Sequence, residues 1–312
     1  MSSPSFASMI KDIGRGARGA RSLPREVAES LFGAMLDGQV PPLELGAILL
    51  SLRIKGESLE ETLGFCAAMQ ARTQVLRWGD DDATPRLVVL PSFNGARKQA
   101  NLVPLVALML ARERVPVLVH GRHDFEAREN PIDVLDALGL SQAGSLFLAG
   151  QDLRERHVAV LALSQLNPGL DALMALRPRL GVRNSAHSIA KLLDPAPGRS
   201  VRVVAVTHPE YLSSMASALA PLTQDHGRAL LMRASEGEPY AHLRRRSFLA
   251  AFDRGVRLDL HPVDGEDLDW PLSDACAPEA NAEYIKAILA GQSPVPPRIQ
   301  EQVQALVRLA RD

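Results

Sequence analysis

The sequence predicts an α/β protein: a small N-terminal helical domain joined to a larger α/β domain with a mostly parallel central sheet. Three observations predict it. The first part of the chain repeats apolar residues at helical spacing. Later, short Val-rich apolar runs alternate with helical segments. An acidic, turn-rich stretch separates the two regimes. Pro24, suited to a first helical turn, opens a segment carrying Val27, Leu31, Met35 and Leu36, and the DGQV turn ends it at Gly38. Pro41 and Pro42 precede Leu45, Ile48, Leu49 and Leu52, a second amphipathic helix closed near Gly56. Ser58 with Glu61 is a capping-box pattern that starts a third helix through Leu63, Ala67 and Met69. WGDDDATPR, at 78–86, is the linker.

Beyond the linker, LVVLPS (87–92) and VPVLVHG (115–121) are continuous apolar runs flanking a helical segment from Arg97 to Arg114. Strands buried on both faces and joined by a helix imply parallel pairing. A helix at Pro131–Leu138, a strand at 157–163 and helical stretches at 170–177 and 186–193 follow. So do a strand at 201–208, a helix at 209–220, the strand RALLM (228–232) and helices at 279–290 and 297–310. The expected domains are residues 1–78 and 79–312, with the helical domain able to recruit helices from later in the chain.

Composition narrows the class. Of 312 residues, 46% are hydrophobic, so a core forms without metal or disulfide staples. Cys66 and Cys276 form no framework and no CxxC pair, which fits a reducing, cytoplasmic setting and small apolar roles. No apolar run approaches the roughly 20 residues needed to cross a bilayer, and the N-terminus lacks the apolar core of a secretory signal. Collagen, coiled coil, disulfide scaffold and integral membrane protein are excluded. A net charge of −1 gives no global sign of a polyanion partner, and 4% aromatics argue against a base-stacking surface. The distribution differs: residues 11–25 hold Lys11, Arg15, Arg18, Arg21 and Arg25 against Asp12, a net +4. This Gly-rich, extended or loosely helical stretch is either a solvated terminus or a track for a phosphate backbone. The acidic stretches 80–82 and 259–269 balance it.

The block REVAESLFGAMLDGQVPPLELGAILLSLRIKGESLEETLGFCAAM resembles the N-terminal domain of the anthranilate phosphoribosyltransferase and class II nucleoside phosphorylase superfamily, glycosyltransferase family 3. DVLDALG (133–139) and LRPRLGVRNSAHSIAKLLDP (176–195) extend that resemblance over most of the chain. It implies an anthranilate phosphoribosyltransferase-like fold. It also exposes three departures. Where those enzymes carry a GTGGD loop that cradles phosphoribosyl pyrophosphate, this chain reads PSFNGARKQAN (91–101) and keeps only Gly95. Their KHGNR becomes VHGRHD (119–124), with Val119 in place of the phosphate-contacting lysine. Their magnesium-holding DGLDE becomes EGEPY (236–240), with Pro239 and Tyr240 at the acidic pair. Ser92, Phe93, Asn94, Gly95, His120 and Gly121 are therefore read as a vestigial phosphoribosyl pyrophosphate site, with no catalytic residue, no cofactor and no metal; magnesium enters only if an enzyme activity survives.

KDIGRGARGAR (11–21), SFNGARKQAN, GVRNSAHSIAKL (181–192) and THPEY (207–211) further resemble the YbiB-type branch of this superfamily. That resemblance implies a homodimer, associating through residues 1–78, that binds DNA or possibly RNA, single- or double-stranded, largely without sequence preference; the composition adds a cytoplasmic setting and no membrane partner. The expected nucleic-acid-binding residues are Lys11, Arg15, Arg18, Arg21, Arg53, Lys55, Arg97, Lys98, Arg183 and Lys191. Arg53 and Lys55 equally suit a helix C-terminus as dipole partners. Arg97 and Lys98 sit where a strand gives way to a helix, the usual ligand position of α/β folds. Arg183 and Lys191 stand eight apart on a helical stretch. Phe93 is the aromatic available for stacking. Arg244–Arg246 reads as a solvated face. His120 and His123 lack a second ligand pair for zinc, and Ser185 reads as a helix N-cap rather than a nucleophile. The alternatives are an anthranilate phosphoribosyltransferase-like enzyme using phosphoribosyl pyrophosphate, and a protein-interaction scaffold.

Overall fold

The computed structural model describes residues 5–16, 18–79, 84–123, 128–246, 248–261 and 266–312. Ala17 of the basic stretch, Asp80–Asp82 of the linker, Asp124 of VHGRHD, and Asp264 of the stretch 259–269 lie outside the described residues. The elements begin with α1 (Phe6–Ile13), α2 (Arg25–Leu36), α3 (Pro42–Lys55) and α4 (Leu59–Gln70). β1 (Leu87–Ser92), α5 (Val103–Arg112), β2 (Val117–Gly121), α6 (Pro131–Ala137), α7 (Leu146–Arg156) and β3 (Val158–Ala162) follow. Four short helices come next: α8 (Leu163–Leu166), α9 (Pro168–Met174), α10 (Arg177–Leu180) and α11 (Ala186–Ile189), the last continued by a 3₁₀ turn. The chain ends with β4 (Ser200–Val206), α12 (Pro209–Leu222), β5 (Arg228–Ser235), β6 (Glu238–Ala241), β7 (Leu249–Asp253), β8 (Val256–His261), α13 (Pro278–Leu289) and α14 (Pro297–Arg311). It divides into two compact units, Met1–Gln74 with Leu163–Leu193, and Val75–Ala162 with Asp194–Asp312.

The first unit is helical. α2 and α4 pack through stacked Phe32 and Phe65 rings, 4.6 Å between centroids. The capping box of α4 forms in both directions: Ser58 Oγ accepts the Glu61 N–H at 3.2 Å, and Glu61 Oε2 accepts the Ser58 N–H at 2.8 Å. Asn167 Nδ2 donates to the Met69 carbonyl (3.1 Å) and Thr73 Oγ1 (3.2 Å), which fastens the 163–193 segment to the end of α4. The basic N-terminus is not extended. Ser5 caps α1, which buries Met9 and Ile13. The Arg21 N–H then donates to the Asp12 carbonyl at 2.8 Å and turns the chain back.

The second unit carries an eight-stranded sheet in the order β3-β2-β1-β4-β5-β7-β8, with β6 on β5. β1 to β5 pair in parallel; β6, β7 and β8 are antiparallel. Alternate residues of the parallel strands (Val88, Leu90, Val117, Val119, Val201, Val203) meet α5, α13 and α14 in one core. The strand order reverses between β1 and β4, the switch point at which open α/β sheets place ligands beyond their carboxyl ends. α5 begins at Val103 and not at Arg97, because residues 93–102 form a loop with bonds of its own. The β7–β8 hairpin, absent from the expected elements, turns on Arg254 and Gly255, both at positive φ. Among the described residues, no helix is long and apolar enough to cross a membrane.

Candidate functional site

The loop that leaves β1 at the switch point is occupied by the chain's own carboxylates. Glu238 is fully buried. It accepts the Ser92 hydroxyl and the backbone N–H groups of Asn94 (2.8 Å) and Gly95 (3.0 Å). Glu236 accepts the backbone N–H groups of Arg97 (3.0 Å) and Lys98 (3.3 Å). Asn94 Nδ2 donates to the Gly237 carbonyl at 2.9 Å, and Gln99 Nε2 reaches Ser235 Oγ (2.5 Å) and the Tyr240 hydroxyl (2.9 Å). Converging backbone N–H groups after a strand are an anion cradle; here two glutamates fill it. The β5–β6 turn aims them. Glu236 (φ 53°) and Gly237 (φ 84°) form a two-residue turn with both φ positive, and Ser235 and Glu238 pair across it.

Behind the loop, parallel pairing sets His120 beside Pro91 and Gly121 beside Ser92. A Cβ on Gly121 would collide with the Ser92 carbonyl, so glycine is required there. His120 is fully buried with neither ring nitrogen hydrogen-bonded, and burial keeps it neutral by pulling its pKa down to about 3. Its ring meets Phe93 edge to face at 5.6 Å. Phe93 is only 3% exposed, so it is a core residue and not a stacking platform. Glu129 bridges to Ala96 through its backbone and accepts Asn281 Nδ2 at 2.8 Å; burial pushes its carboxyl up to about 7.

The cations are placed differently from one another. Lys11, Arg15, Arg18 and Arg21 are all exposed around the turn that follows α1, with Arg15 Nε on the Lys11 carbonyl at 3.0 Å. Arg53 is exposed on α3, which packs against α1. Lys55 is not a surface cation. Its side chain is 9% exposed, and Nζ lies 2.6 Å from the buried Glu61 carboxylate, which also accepts the Leu23 N–H. It serves a buried ion pair that holds the α3–α4 corner. Arg97 and Lys98 are exposed on the loop that Glu236 ties down, not at a helix start. Arg183 and Lys191 do not share one helix: Arg183 precedes α11, Lys191 lies in the 3₁₀ turn after it, and both are half-buried and engaged with neighbours. Ser185 stands at the N-cap position of α11, yet the Oδ1 of Asn184 accepts the Ala186 N–H.

Residues 7–73 match the model of the glycosyl transferase family, helical bundle domain. Over 302 residues the chain is 39% identical to YbiB of Escherichia coli (strain K12), spanning 96% of this chain and 92% of that one. The chain belongs to the YbiB family. This YbiB-family chain is also 29% identical over 285 residues to the anthranilate phosphoribosyltransferase of Bradyrhizobium sp. (strain ORS 278), spanning 89% and 82% of the two. Its fold matches the anthranilate phosphoribosyltransferase of Thermus thermophilus with a TM-score of 0.75 at 25% identity, over 97% and 88% of the two chains. At the level of fold it also matches the Saccharomyces cerevisiae enzyme solved in complex with PRPP and Mg (TM-score 0.73, 14% identity, 97% and 88% covered).

The residues of the YbiB-family chain do not fit that ligand pair. Glu236 and Glu238 are committed to backbone N–H groups, and Tyr240 is a buried phenol whose pKa burial raises further. Among the described residues, no three His, Cys, Asp or Glu side chains group as metal ligands. In the sequence EGEPY reads as a lost metal motif; the fold adds that its two glutamates accept backbone N–H groups of the β1 loop. Two carboxylates flanking a glycine directly after a strand were the available signal.

Proposed function

We propose that this protein is a non-catalytic phosphoribosyltransferase homologue that binds nucleic acid, DNA or RNA, largely without sequence preference. Arg and Lys side chains contact phosphates. The observation that carries the reading is the closure of the 92–98 loop: its anion-binding groups are spent on Glu236 and Glu238, while Lys11, Arg15, Arg18 and Arg21 stand exposed around one turn. Such cations bind polyanions by counterion release, without a base-reading groove. Arg53, Arg97 and Lys98 are further candidates. Lys55 is not. A homodimer is proposed to form through α3, where Leu43, Leu50 and Ile54 are exposed on a helix of the helical unit. Neither cysteine is in a disulfide, in keeping with the cytoplasm.

Two titrations test this. Single-stranded DNA should bind with an affinity that falls steeply with salt, and changing Arg15, Arg18 and Arg21 together to Ala should abolish most of it. Saturable micromolar binding of phosphoribosyl pyrophosphate with magnesium would overturn the reading in favour of the enzyme, the alternative that the 29% identity to an anthranilate phosphoribosyltransferase supports.

A further inference from the structure

The run Arg244–Arg246 follows β6 directly, and it is not a featureless solvated face. His242 is half-buried at its start, and its Nδ1 accepts the backbone N–H groups of Arg244 (3.2 Å) and Arg245 (3.1 Å). Double acceptance requires an unprotonated Nδ1, so the ring carries its proton on Nε2. The turn is anchored from a second segment. The Leu268 N–H donates to the Arg244 carbonyl at 2.8 Å, and Arg244 Nε donates to the Trp270 carbonyl at 2.7 Å. Arg244 and Arg245 are exposed, and Arg233 of β5 is half-exposed.

Burial first, and then Arg245, pulls the His242 imidazole below its ordinary pKa; Asp267 opposes the shift, and Arg244 and Arg233 add to it. None of the three arginines forms an ion pair with a carboxylate among the described residues. Arg244 and Arg245 are thus exposed on a turn fixed by hydrogen bonds to its backbone, with no carboxylate in salt-bridge contact with either among the described residues. Guanidinium is the group best shaped for phosphate oxygens.

We propose that this His242-centred turn is a phosphate-backbone contact site on the α/β unit, where Arg244 and Arg245 each engage a phosphate of a bound nucleic-acid strand. Arg233 adds field. His242 is a positioning residue that sets the turn and does not touch the strand. The proposal rests on the nucleic-acid reading above and extends it to a second site, separate from the cations of the helical unit.

The test is fluorescence anisotropy of a labelled oligothymidylate of about 20 nucleotides titrated with the full chain across a salt series. The double variant R244A/R245A should lower the slope of log affinity against log salt by about 1.4, at roughly 0.7 for each lost single-strand phosphate contact. The Arg245 guanidinium makes no hydrogen bond or ion pair among the described residues, so Arg245→Ala alone should lower the slope by about 0.7 without a change in melting. His242→Asn, which can keep an acceptor near Nδ1, should retain the wild-type slope, whereas His242→Ala should lower it. An unchanged slope in both arginine variants, with wild-type binding intact and dependent on Arg15, Arg18 and Arg21, overturns this site and leaves the nucleic-acid reading standing. No binding by the wild type overturns both. Binding of inorganic polyphosphate but not of the oligonucleotide also overturns it.

Discussion

Replacing Glu238 with alanine tests the central feature of the candidate site. Glu238 is fully buried and accepts three donors from the β1 loop: the Ser92 hydroxyl and the N–H groups of Asn94 and Gly95. A buried donor left without an acceptor costs about 1–3 kcal/mol, and bonds to a charged acceptor lie at the upper end. The three are neighbours and do not add fully, and water entering the cavity recovers part, so about 3–5 kcal/mol is expected in total. The α/β unit spans about 200 residues. At about 2–4 °C per kcal/mol for that size, the melting temperature should fall by roughly 6–20 °C. Differential scanning calorimetry measures it. A second arm probes the chemistry. If the loop is an anion cradle, phosphate should stabilise Glu238→Ala more than chloride does at equal ionic strength, and should leave the wild type unmoved, because a ligand stabilises only the state with a vacant site. A loss under about 1 kcal/mol, or no difference between the anions, would refute the reasoning.

Three further outcomes follow from the same geometry. Glu129 has its folded pKa raised to about 7 from 4.5, so its stabilising contribution is complete below pH 4.5 and is lost as pH rises through 7. Glu129→Gln keeps the oxygen that Asn281 uses and should be more stable than wild type at pH 8 by about 1–2 kcal/mol after solvent screening, measured by urea denaturation across pH. A parallel pH dependence in both proteins would contradict it. His120 behaves with the opposite sign: its folded pKa is depressed to about 3, so stability is present above pH 6.5 and is lost as pH falls. His120→Leu should therefore resist acid unfolding better than wild type, and an unchanged acid midpoint would count against the buried neutral imidazole. Lys55→Ala leaves the Glu61 carboxylate buried without its counter-ion and should destabilise the helical unit by about 3–5 kcal/mol, while oligonucleotide affinity per folded molecule stays at the wild-type value.

Much of the fold is legible in the residues because each signal is local. The Ser58–Glu61 capping box forms both of its bonds, and LVVLPS is β1 residue for residue. The β7–β8 hairpin escapes a sequence reading because LAAFDRGVRLDLH carries no Asn-Gly or Gly-Gly turn; its positive-φ pair is Arg254–Gly255. Arg97 and Lys98 read like the opening of a helix, but a carboxylate some 140 residues downstream takes their N–H groups, and no local pattern reports such a bond.

For the site, the sequence by itself determined which residues stand in the segments that resemble the enzymes' loops: Gly95 as the one glycine of PSFNGARKQAN, Val119 before His120, and Pro239 and Tyr240 after Glu238. It also placed the cations Lys11, Arg15, Arg18 and Arg21 close together in the chain, and therefore close in space. The tertiary structure alone decided what the backbone N–H groups of the 92–98 loop bond to. Strand pairing carries Glu236 and Glu238 from the β5–β6 turn onto backbone N–H groups of the β1 loop. It likewise buried Lys55 against Glu61 and set His242 Nδ1 on the backbone N–H groups of Arg244 and Arg245. Composition and spacing record which charges a chain has. Whether a charge faces water, a carboxylate or a backbone amide depends on contacts between distant segments, which only the folded chain creates.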